Sequence, residues 1–558
     1  MHERVAETLD MIGLRDHSLT NEYRIFGPPG TGKTRSATRH IHRAVDRFGS
    51  DSVMATSFTR AAAIELTGRD LPIDLNRIGT LHSACFHALG RPPIAEAQVD
   101  GWNRENPRFP ITPLSRDRRL EGENANTEED PSLKAGDRLL QQLNYYRGKL
   151  ITPENWPISV RDFHLGWGQY KASNGLLDFS DLIDLSLHDV EFAPNKPAVI
   201  IADEAQDLNP MQLGLVRKWG HGADHFVLAG DDDQTIYAWA GACPEAILHP
   251  EIPEDHKSFL TKTQRVPQTV HALAEQLIHR VSQRQEKIYE PRDATGVVRR
   301  LSLGYKSPEY LILKTIERHL SERKRIMLLG SCSYMLRPIL AVLRREAIPF
   351  HNPYRKSNGF WNPLRTSSRK STANRVRALL IAHAGHHAWR GGELALWTEW
   401  IPEDGILTER GREIIAALPP VKETTPEILG AIFQPDALKE ILAALRASTP
   451  ITLLDWWRHR AAPDFRKRID FPSHIAARRD GRALVDEPRV IVGTIHSVKG
   501  GEADVVYLFP DLSKAGDAQY RHRGAPRDSV IRLFYVGVTR ARETLYLCSP
   551  ESGAAISI

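Results

Sequence analysis

The feature that most restricts the fold of this chain is the run GPPGTGKT at residues 27–34, which follows a short apolar stretch and precedes a helical pattern. It fits GxxxxGK[ST], with the strand before it and the helix after it that this pattern requires. The glycines let backbone N–H groups point into a concave anion-binding nest, and the N-terminus of the helix adds its positive dipole end. We therefore predict a parallel α/β unit with a phosphate-binding loop; a glycine-rich turn with a surface lysine is the alternative.

The residue types within this loop indicate its chemistry. We expect Lys33 to reach the β- and γ-phosphates of a nucleoside triphosphate, and the hydroxyl of Thr34 to ligate Mg²⁺. The residues expected to bind the nucleotide are consecutive in the sequence: Gly27, Pro28, Pro29, Gly30, Thr31, Gly32, Lys33, Thr34 and Arg35.

A second motif, DEAQD at residues 203–207, directly follows the apolar run at residues 199–202. A buried parallel strand delivers such acids to its C-terminal edge, where the ligands of α/β sheets bind. We expect Asp203 to hold Mg²⁺ through water, and Glu204 to orient and deprotonate the attacking water. An apolar run followed by two acids is common by itself, so this interpretation depends on the phosphate-binding loop.

A third motif, GDDDQ at residues 230–234, ends the apolar run 226–229. We expect Gln234 to sense the γ-phosphate through a hydrogen bond that is lost on hydrolysis. Tyr237 and Trp239 follow at once, and their rings could serve as platforms on which nucleic-acid bases stack. A pair of core aromatic residues is the alternative for these two positions.

Strand patterns alternate with helical patterns near both ends of the chain, which indicates parallel α/β units. With 558 residues the chain is too long for one hydrophobic core. Further strands are predicted at residues 23–26, 53–57, 326–330, 490–494, 505–509 and 545–547. Two segments, from about 86 to 184 and from about 356 to 485, are rich in helical patterns and loops, and we predict that they are inserted subdomains.

The composition narrows the class of protein. Hydrophobic residues make up 41% and charged residues 26% of the chain, as in ordinary globular proteins, and a net charge of +5 permits a polyanionic partner without requiring one. The four cysteines form no CxxC pair, which argues against a zinc site or a disulfide framework. Because the sequence has neither a signal peptide nor a membrane-spanning stretch, we predict a soluble cytoplasmic protein.

The motifs occur in an order that resembles the UvrD/Rep/PcrA group of superfamily-one DNA helicases over nearly the whole chain. The matching segments are GPPGTGKT at 27–34, TSFTRAAA at 56–63, GTLHS at 79–83, DFSDL at 178–182, DEAQD at 203–207, GDDDQTIYAWAG at 230–241, TIHSVKGGE at 494–502 and YVGVTRAR at 535–542. A single motif beyond the first could arise by accident, but the ordered set argues against accident.

The resemblance implies two RecA-like motor domains, each with an inserted mainly helical subdomain, and ATP in the cleft between them. The expected limits are residues 1–85 and 185–256 for the first motor domain, 86–184 for its insertion, 257–355 and 486–558 for the second motor domain and 356–485 for its insertion. The resemblance also implies that Arg265 and Arg540 neutralise charge on the γ-phosphate, and that Glu502 contacts the ribose. A surface salt bridge is the alternative for each arginine.

By the same resemblance, the residues expected to contact DNA are Phe58, His82, Tyr237, Trp239, Thr494 and His496. The family further implies ATP and Mg²⁺ as cofactors, single-stranded or tailed duplex DNA as partner, and movement in the 3′→5′ direction. Two other functions stay open. One is a DNA-sensing ATPase switch that signals to or loads a partner without processive unwinding, and the other is movement along RNA.

The sequence departs from this family at the positions that bind adenine. Residues 1–22 contain no clear counterpart of the glutamine that reads the base, and Gln264 stands where the family has a tyrosine that stacks on it. The preference for ATP over other nucleotides therefore stays open.

Overall fold

The computed structural model describes residues 21–57, 71–113, 134–354, 363–364, 370–479 and 482–558. The chain forms two compact units: the first comprises Met1–Arg300, Ile495–Glu502 and Pro510–Ile558, and the second comprises Leu301–Thr494 and Ala503–Phe509. The four domains expected from the motif order stay a prediction. No helix within the described ranges is both long and apolar enough to cross a lipid bilayer.

The first unit contains a six-stranded sheet in which every neighbouring pair of strands is parallel. Its strands are β1 (Glu22–Phe26), β2 (Val53–Ser57), β3 (Ile78–Thr80), β4 (Val199–Asp203), β5 (His225–Gly230) and β6 (Lys257–Phe259). Their order is β3-β2-β4-β5-β1-β6. The strands predicted at residues 23–26, 53–57, 199–202 and 226–229 are confirmed to within one residue at each end.

The strand order explains how the three polar motifs meet. Strands β4, β5 and β1 are neighbours, and parallel strands end at the same edge of a sheet. The phosphate-binding loop, DEAQD and GDDDQ therefore leave the sheet side by side. Both faces of the sheet are covered: Ile25 packs with Ile41 on one face, and the next residue, Phe26, packs with Leu213 on the other. This two-sided burial is typical of a parallel α/β sheet.

Helices surround this sheet and fill most of the described part of residues 86–184. The helices of the first unit are Lys33–Phe48, Leu81–Ala88, Asp100–Glu105, Ala135–Gly148, Ile158–Asn174, Phe179–Asp189, Pro210–His221, Glu245–Leu248, Gln268–Ile278, Lys514–Arg521 and Ala525–Val538. Two short strands, β7 (Lys262–Pro267) and β8 (Glu290–Arg292), form a separate parallel pair, and β9 (Val297–Leu301) follows them.

The second unit contains four parallel strands in the order β11-β12-β10-β13. They are β10 (Ile326–Gly330), β11 (Phe350–His351), β12 (Val490–Thr494) and β13 (Ala503–Leu508), and the chain ends in the first unit with β14 (Ala541–Cys548). These strands confirm the predictions at residues 326–330 and 490–494. They also overlap the predicted strands at 505–509 and 545–547.

The helices of the second unit are concentrated after β11. They are Pro308–Leu311, Glu317–Ser321, Arg337–Arg345, Thr372–Leu380, Gly391–Thr398, Gly411–Ala417, Pro426–Ile432, Pro435–Leu445, Pro450–Arg460, Pro463–Arg478 and Arg482–Val485. A π-helical turn, Ile312–Ile316, joins the first two. The core of the later helices contains Trp389, Trp397, Trp400 and Trp457. Both units thus combine parallel strands with additional helices, which confirms the predicted α/β fold class.

Candidate functional site

The phosphate-binding loop has the left-handed backbone that its glycines permit. Gly30 and Gly32 have φ values of 76° and 89°, and the helix Lys33–Phe48 begins directly after Gly32. The side chain of Lys33 is buried, and its Nζ donates to the carbonyl oxygen of Gly27 at 2.6 Å. A phosphate oxygen would give this ammonium a stronger, charge-assisted partner than a neutral carbonyl. The loop therefore holds its lysine in reach of the place where phosphates bind.

One side of this loop is fixed by a residue of β7 and by the residue that directly precedes β8. The carbonyl oxygen of Pro29 accepts from the Thr263 hydroxyl and from the Tyr289 hydroxyl, both at 2.9 Å. A Cβ on Gly30 would lie 2.6 Å from the Cβ of Arg265, so only glycine lets this arginine approach so closely. Thr263 and Tyr289 were not predicted as site residues, and no motif in the sequence signals them.

The first two acids of DEAQD, Asp203 and Glu204, lie at the end of β4. Asp203 is the last strand residue, and Glu204 has a left-handed backbone with φ 56°. The Thr34 hydroxyl lies beside the Asp203 carboxylate, whose Oδ2 is buried and accepts no hydrogen bond from any residue that the structure describes. Burial and the neighbouring charge of Glu204 raise the pKa of Asp203 to about 7. An unpaired carboxylate oxygen beside a hydroxyl is a donor set that suits Mg²⁺.

Lys499, which is not among the predicted site residues, joins the second acid, Glu204, to the GDDDQ segment. The Nζ of Lys499 lies 3.7 Å from Glu204 Oε2, forms an ion pair with Asp207 and donates to the backbone oxygen of Gln234 at 3.0 Å. Burial alone would raise the pKa of Glu204, but the charges of Lys499 and Lys33 outweigh it and hold this pKa below its ordinary value. Glu204 is therefore ionised at neutral pH.

Gln234 and Arg540, which are both predicted to act at the γ-phosphate, lie next to each other. The Arg540 side chain is 1% exposed, and its Nη2 lies 3.4 Å from Gln234 Oε1. Two other nitrogens of this guanidinium donate to backbone oxygens: Nε donates to the oxygen of Val536 at 2.9 Å, and Nη1 donates to the oxygen of Gly501 at 3.1 Å. A buried guanidinium fixed in this way is not the surface salt bridge that was the alternative for Arg540.

Arg265 and Glu502, for which the sequence predicted contacts to different parts of the nucleotide, form an ion pair with each other. Arg265 Nε donates to Glu502 Oε2 at 2.8 Å, and Arg542 contacts the other oxygen of the same carboxylate. The Arg265 side chain is 14% exposed and Glu502 33%, so both remain accessible from outside the fold. This pair lies at the edge of the loop where Arg265 approaches Gly30.

Three of the predicted DNA-contacting residues form one aromatic group. The ring of Tyr237 is 6.1 Å from the ring of Trp239 and 6.1 Å from the ring of His496. The Nζ of Lys499 lies 5.3 Å from the Tyr237 ring centroid. Burial lowers the pKa of His496 to about 4, so its ring is neutral and can donate to the oxygen of Ile236 at 3.2 Å.

The other three predicted DNA contacts are His82, Thr494 and Phe58. His82 packs edge-on against Phe179, with ring centroids 5.9 Å apart. Thr494 is the last residue of β12 in the second unit. Phe58 lies outside the described residues.

Removing the charge of Lys499 should destabilise the first unit. Lys499→Met leaves the buried carboxylate of Asp207 and the partly buried carboxylate of Glu204 without their shared cation, so we expect the free energy of unfolding to fall by about 3–5 kcal/mol. Urea denaturation followed by circular dichroism measures this loss. Lys514→Met, which removes an exposed lysine, is the matched control and should change stability by less than about 0.5 kcal/mol. Equal midpoints for the two variants would show that Lys499 is not needed to balance these carboxylates.

Two family models of helicase domains match the chain in the regions that form this site. The UvrD/REP helicase N-terminal domain matches residues 15–253, and the UvrD-like helicase C-terminal domain matches residues 489–548. The chain is 27% identical over 288 residues to the ATP-dependent DNA helicase PcrA of Staphylococcus epidermidis, strain ATCC 12228. It is 28% identical over 288 residues to the PcrA of Staphylococcus aureus, strain Mu50. In both cases the match covers 47% of this chain and 38% of the relative.

The two family matches together cover more than half of the 558 residues, and they include the segments that contain the phosphate-binding loop, DEAQD, GDDDQ and Arg540. The chain spans well under half the length of the relatives it matches. The order of the motifs, the parallel sheet at whose edge they meet and the two matches agree, and the chain belongs to the UvrD-like helicase family.

Proposed function

We propose that this chain is an ATP-driven motor that moves along single-stranded DNA and separates duplex DNA, in the 3′→5′ direction. The observation that carries the proposal is the position of Lys499, which pairs with Glu204 and also lies beside the ring of Tyr237. A side chain shared by a carboxylate at the phosphate-binding loop and an aromatic platform offers a direct way to couple hydrolysis to DNA binding. The family match and the ATP-dependent DNA helicases among the relatives support the same conclusion.

For the chemical step, we assign Glu204 as the base that accepts a proton from the attacking water as its oxygen bonds to the γ-phosphorus and the bond to ADP breaks. Thr34 and Asp203 would hold Mg²⁺, which supplies positive charge to the phosphate oxygens. Lys33 and Arg540 would stabilise the charge that develops on the γ-phosphate, and the close approach of Arg265 to Gly30 supports the same role for this arginine.

For the DNA track, we assign the group of Tyr237, Trp239 and His496, with the same role expected of Phe58, His82 and Thr494. Stacking on such rings does not depend on base identity, because every base has a π-face. Tyr237 and Trp239 follow Gln234 by three and five residues. A movement of Gln234 on loss of the γ-phosphate would therefore reach the rings directly. In the proposed organisation these residues belong to the two motor domains predicted from the motif order, each with its helical insertion.

A strand-displacement assay with the purified chain tests this function. We expect ATP-dependent separation of a duplex with a 3′ single-stranded tail, and much slower separation of one with a 5′ tail. Hydrolysis stimulated by DNA without displacement would instead indicate a DNA-sensing switch. Equal stimulation by matched DNA and RNA oligonucleotides would remove the restriction to DNA.

Trp239→Ala should weaken stacking without changing the phosphate-binding loop. Since a base–aromatic stack contributes about 1–3 kcal/mol, we expect the affinity for single-stranded DNA to fall about 5- to 150-fold, with basal hydrolysis within about twofold of wild type. Fluorescence anisotropy of a labelled oligonucleotide and phosphate release without DNA measure the two effects. Trp400→Ala, at a tryptophan buried in the second unit, controls for general loss of stability. An equal fall in basal and DNA-stimulated hydrolysis for Trp239→Ala would argue against a stacking role.

A further inference from the structure

Three consecutive aspartates of the GDDDQ segment are buried together. Asp231 and Asp232 are 0% exposed and Asp233 is 1% exposed, and a carboxylate oxygen from each lies within 4.8 Å of the others. Buried like charges repel one another and lose their hydration, so this arrangement persists only if cations neutralise it. The sequence gives no hint of where these cations come from.

The cations come from a segment about fifty residues later in the chain. The Nζ of Lys287 lies 3.0 Å from Asp231 Oδ1 and 3.1 Å from Asp233 Oδ2, and it also contacts Asp232. Arg284 Nη2 donates to Asp233 Oδ2 at 2.7 Å, and the backbone N–H of Gln285 donates to Asp232 Oδ2 at 2.8 Å. The Lys287 side chain is itself only 1% exposed.

Of the three carboxylates, Lys287 has its clearest effect on that of Asp231, which it keeps ionised. Burial alone would raise the pKa of Asp231, but the charges of Lys287 and Lys33 hold it below its ordinary value. The pKa of Asp232, by contrast, rises to about 6, because burial outweighs the charge of Lys287 there.

The carboxylate of Asp231 contacts both Lys287 and Gln234. Its Oδ1 faces Lys287, and its Oδ2 accepts from Gln234 Nε2 at 2.8 Å. An ionised carboxylate only accepts hydrogen bonds and a guanidinium only donates them. The amide of Gln234 must therefore turn its NH₂ group to Asp231 and its oxygen to Arg540, which lies 3.4 Å from that oxygen.

We propose that Lys287 is a positioning residue for ATP hydrolysis, because it holds Asp231 in place and so fixes which end of the Gln234 amide faces Arg540 and the γ-phosphate. The inference rests on the proposed ATPase function and adds a residue that lies outside every motif of the sequence. Arg284 supports the same arrangement through Asp233. Without Lys287, Asp231 would lose its cation and Gln234 could present either end of its amide.

A double-mutant cycle with Gln234 tests this role. Lys287→Met removes the charge and keeps a side chain of similar length. We expect it to lower kcat for DNA-stimulated ATP hydrolysis at least tenfold, with the affinity for a fluorescent ADP analogue changed less than threefold. Lys287→Arg should recover part of kcat. In a Gln234→Ala background, Lys287→Met should lower kcat by no more than a further twofold, because its effect passes through that amide.

Lys257→Met is the control for this test, and Asp231→Asn is a second variant in case Lys287→Met does not fold. Lys257→Met removes a lysine whose partner, Glu254, is 81% exposed, and it should leave kcat unchanged. Should Lys287→Met fail to fold by circular dichroism, Asp231→Asn takes its place, since Lys287 then still pairs with two carboxylates. The proposal is overturned if a folded Lys287→Met or Asp231→Asn keeps wild-type kcat, or if either lowers kcat equally in the Gln234→Ala background. Absence of hydrolysis in the wild-type chain would instead refute the proposed function itself.

Discussion

Lys33→Ala should reduce ATP hydrolysis by about a thousandfold, which is the upper range for removing a preorganised charge that stabilises a transition state. The Lys33 ammonium is buried and held 2.6 Å from the Gly27 oxygen, so it is already directed at the loop before a nucleotide arrives. Alanine cannot replace its charge, and water has little access to compensate. The measurement is the rate of phosphate release at saturating ATP, with and without single-stranded DNA.

A matched control lies on the same helix. Arg39 is exposed two turns further along, and Arg39→Ala removes one positive charge without touching the loop. It should leave both rates within about twofold, since exposed charges contribute little. If Lys33→Ala kept more than a tenth of the wild-type rate, the loop would not be the site of phosphate binding.

The sequence predicted the strands that lead into the motifs because these strands are buried on both faces. The runs that form β4 and β5 are nearly continuous in apolar residues, which is typical of central parallel strands. Strand β1 is less regular, because it includes the charged residues Glu22 and Arg24. The edge strands lack this signal. Strand β3 has only three residues, and two of the three residues of β6 are exposed. No run of apolar residues marked either one, and neither was predicted.

For the candidate site, the sequence identified residues within motifs but not the contacts between them. Arg540 meets Gln234 across 306 residues, and Lys499 meets Asp207 across 292. Such contacts depend on the order of strands in a sheet, which residue spacing does not encode. Lys287 is the clearest example of a contact that the sequence does not reveal. It lies outside every motif, so nothing in the sequence indicated that it would contact three buried aspartates.

Glu204→Gln should separate nucleotide binding from hydrolysis. The substitution preserves the size of the side chain and removes its charge and its ability to accept a proton. We expect kcat to fall by about 10²- to 10⁴-fold, which is the contribution of a positioned general base, while the dissociation constant for ATP stays within about threefold. The pKa of Glu204, held below its ordinary value by Lys499 and Lys33 against the effect of burial, keeps the base ionised at neutral pH. Single-turnover hydrolysis and binding of a fluorescent ATP analogue measure the two quantities.

The neighbouring acid provides the control that isolates proton acceptance from charge. Asp207 is buried and pairs with Lys499 as well, so Asp207→Asn removes a second carboxylate from the same cation. Burial raises the pKa of Asp207 to about 7, so this carboxylate carries only part of a charge at neutral pH. If Glu204 acts as the base, Asp207→Asn should lower kcat by less than about tenfold, because it disturbs only the electrostatic surroundings of the reaction. Equal losses in the two variants would mean that the balance of charge around Lys499, and not proton transfer to Glu204, limits hydrolysis. The base would then have to be sought elsewhere at this edge of the sheet.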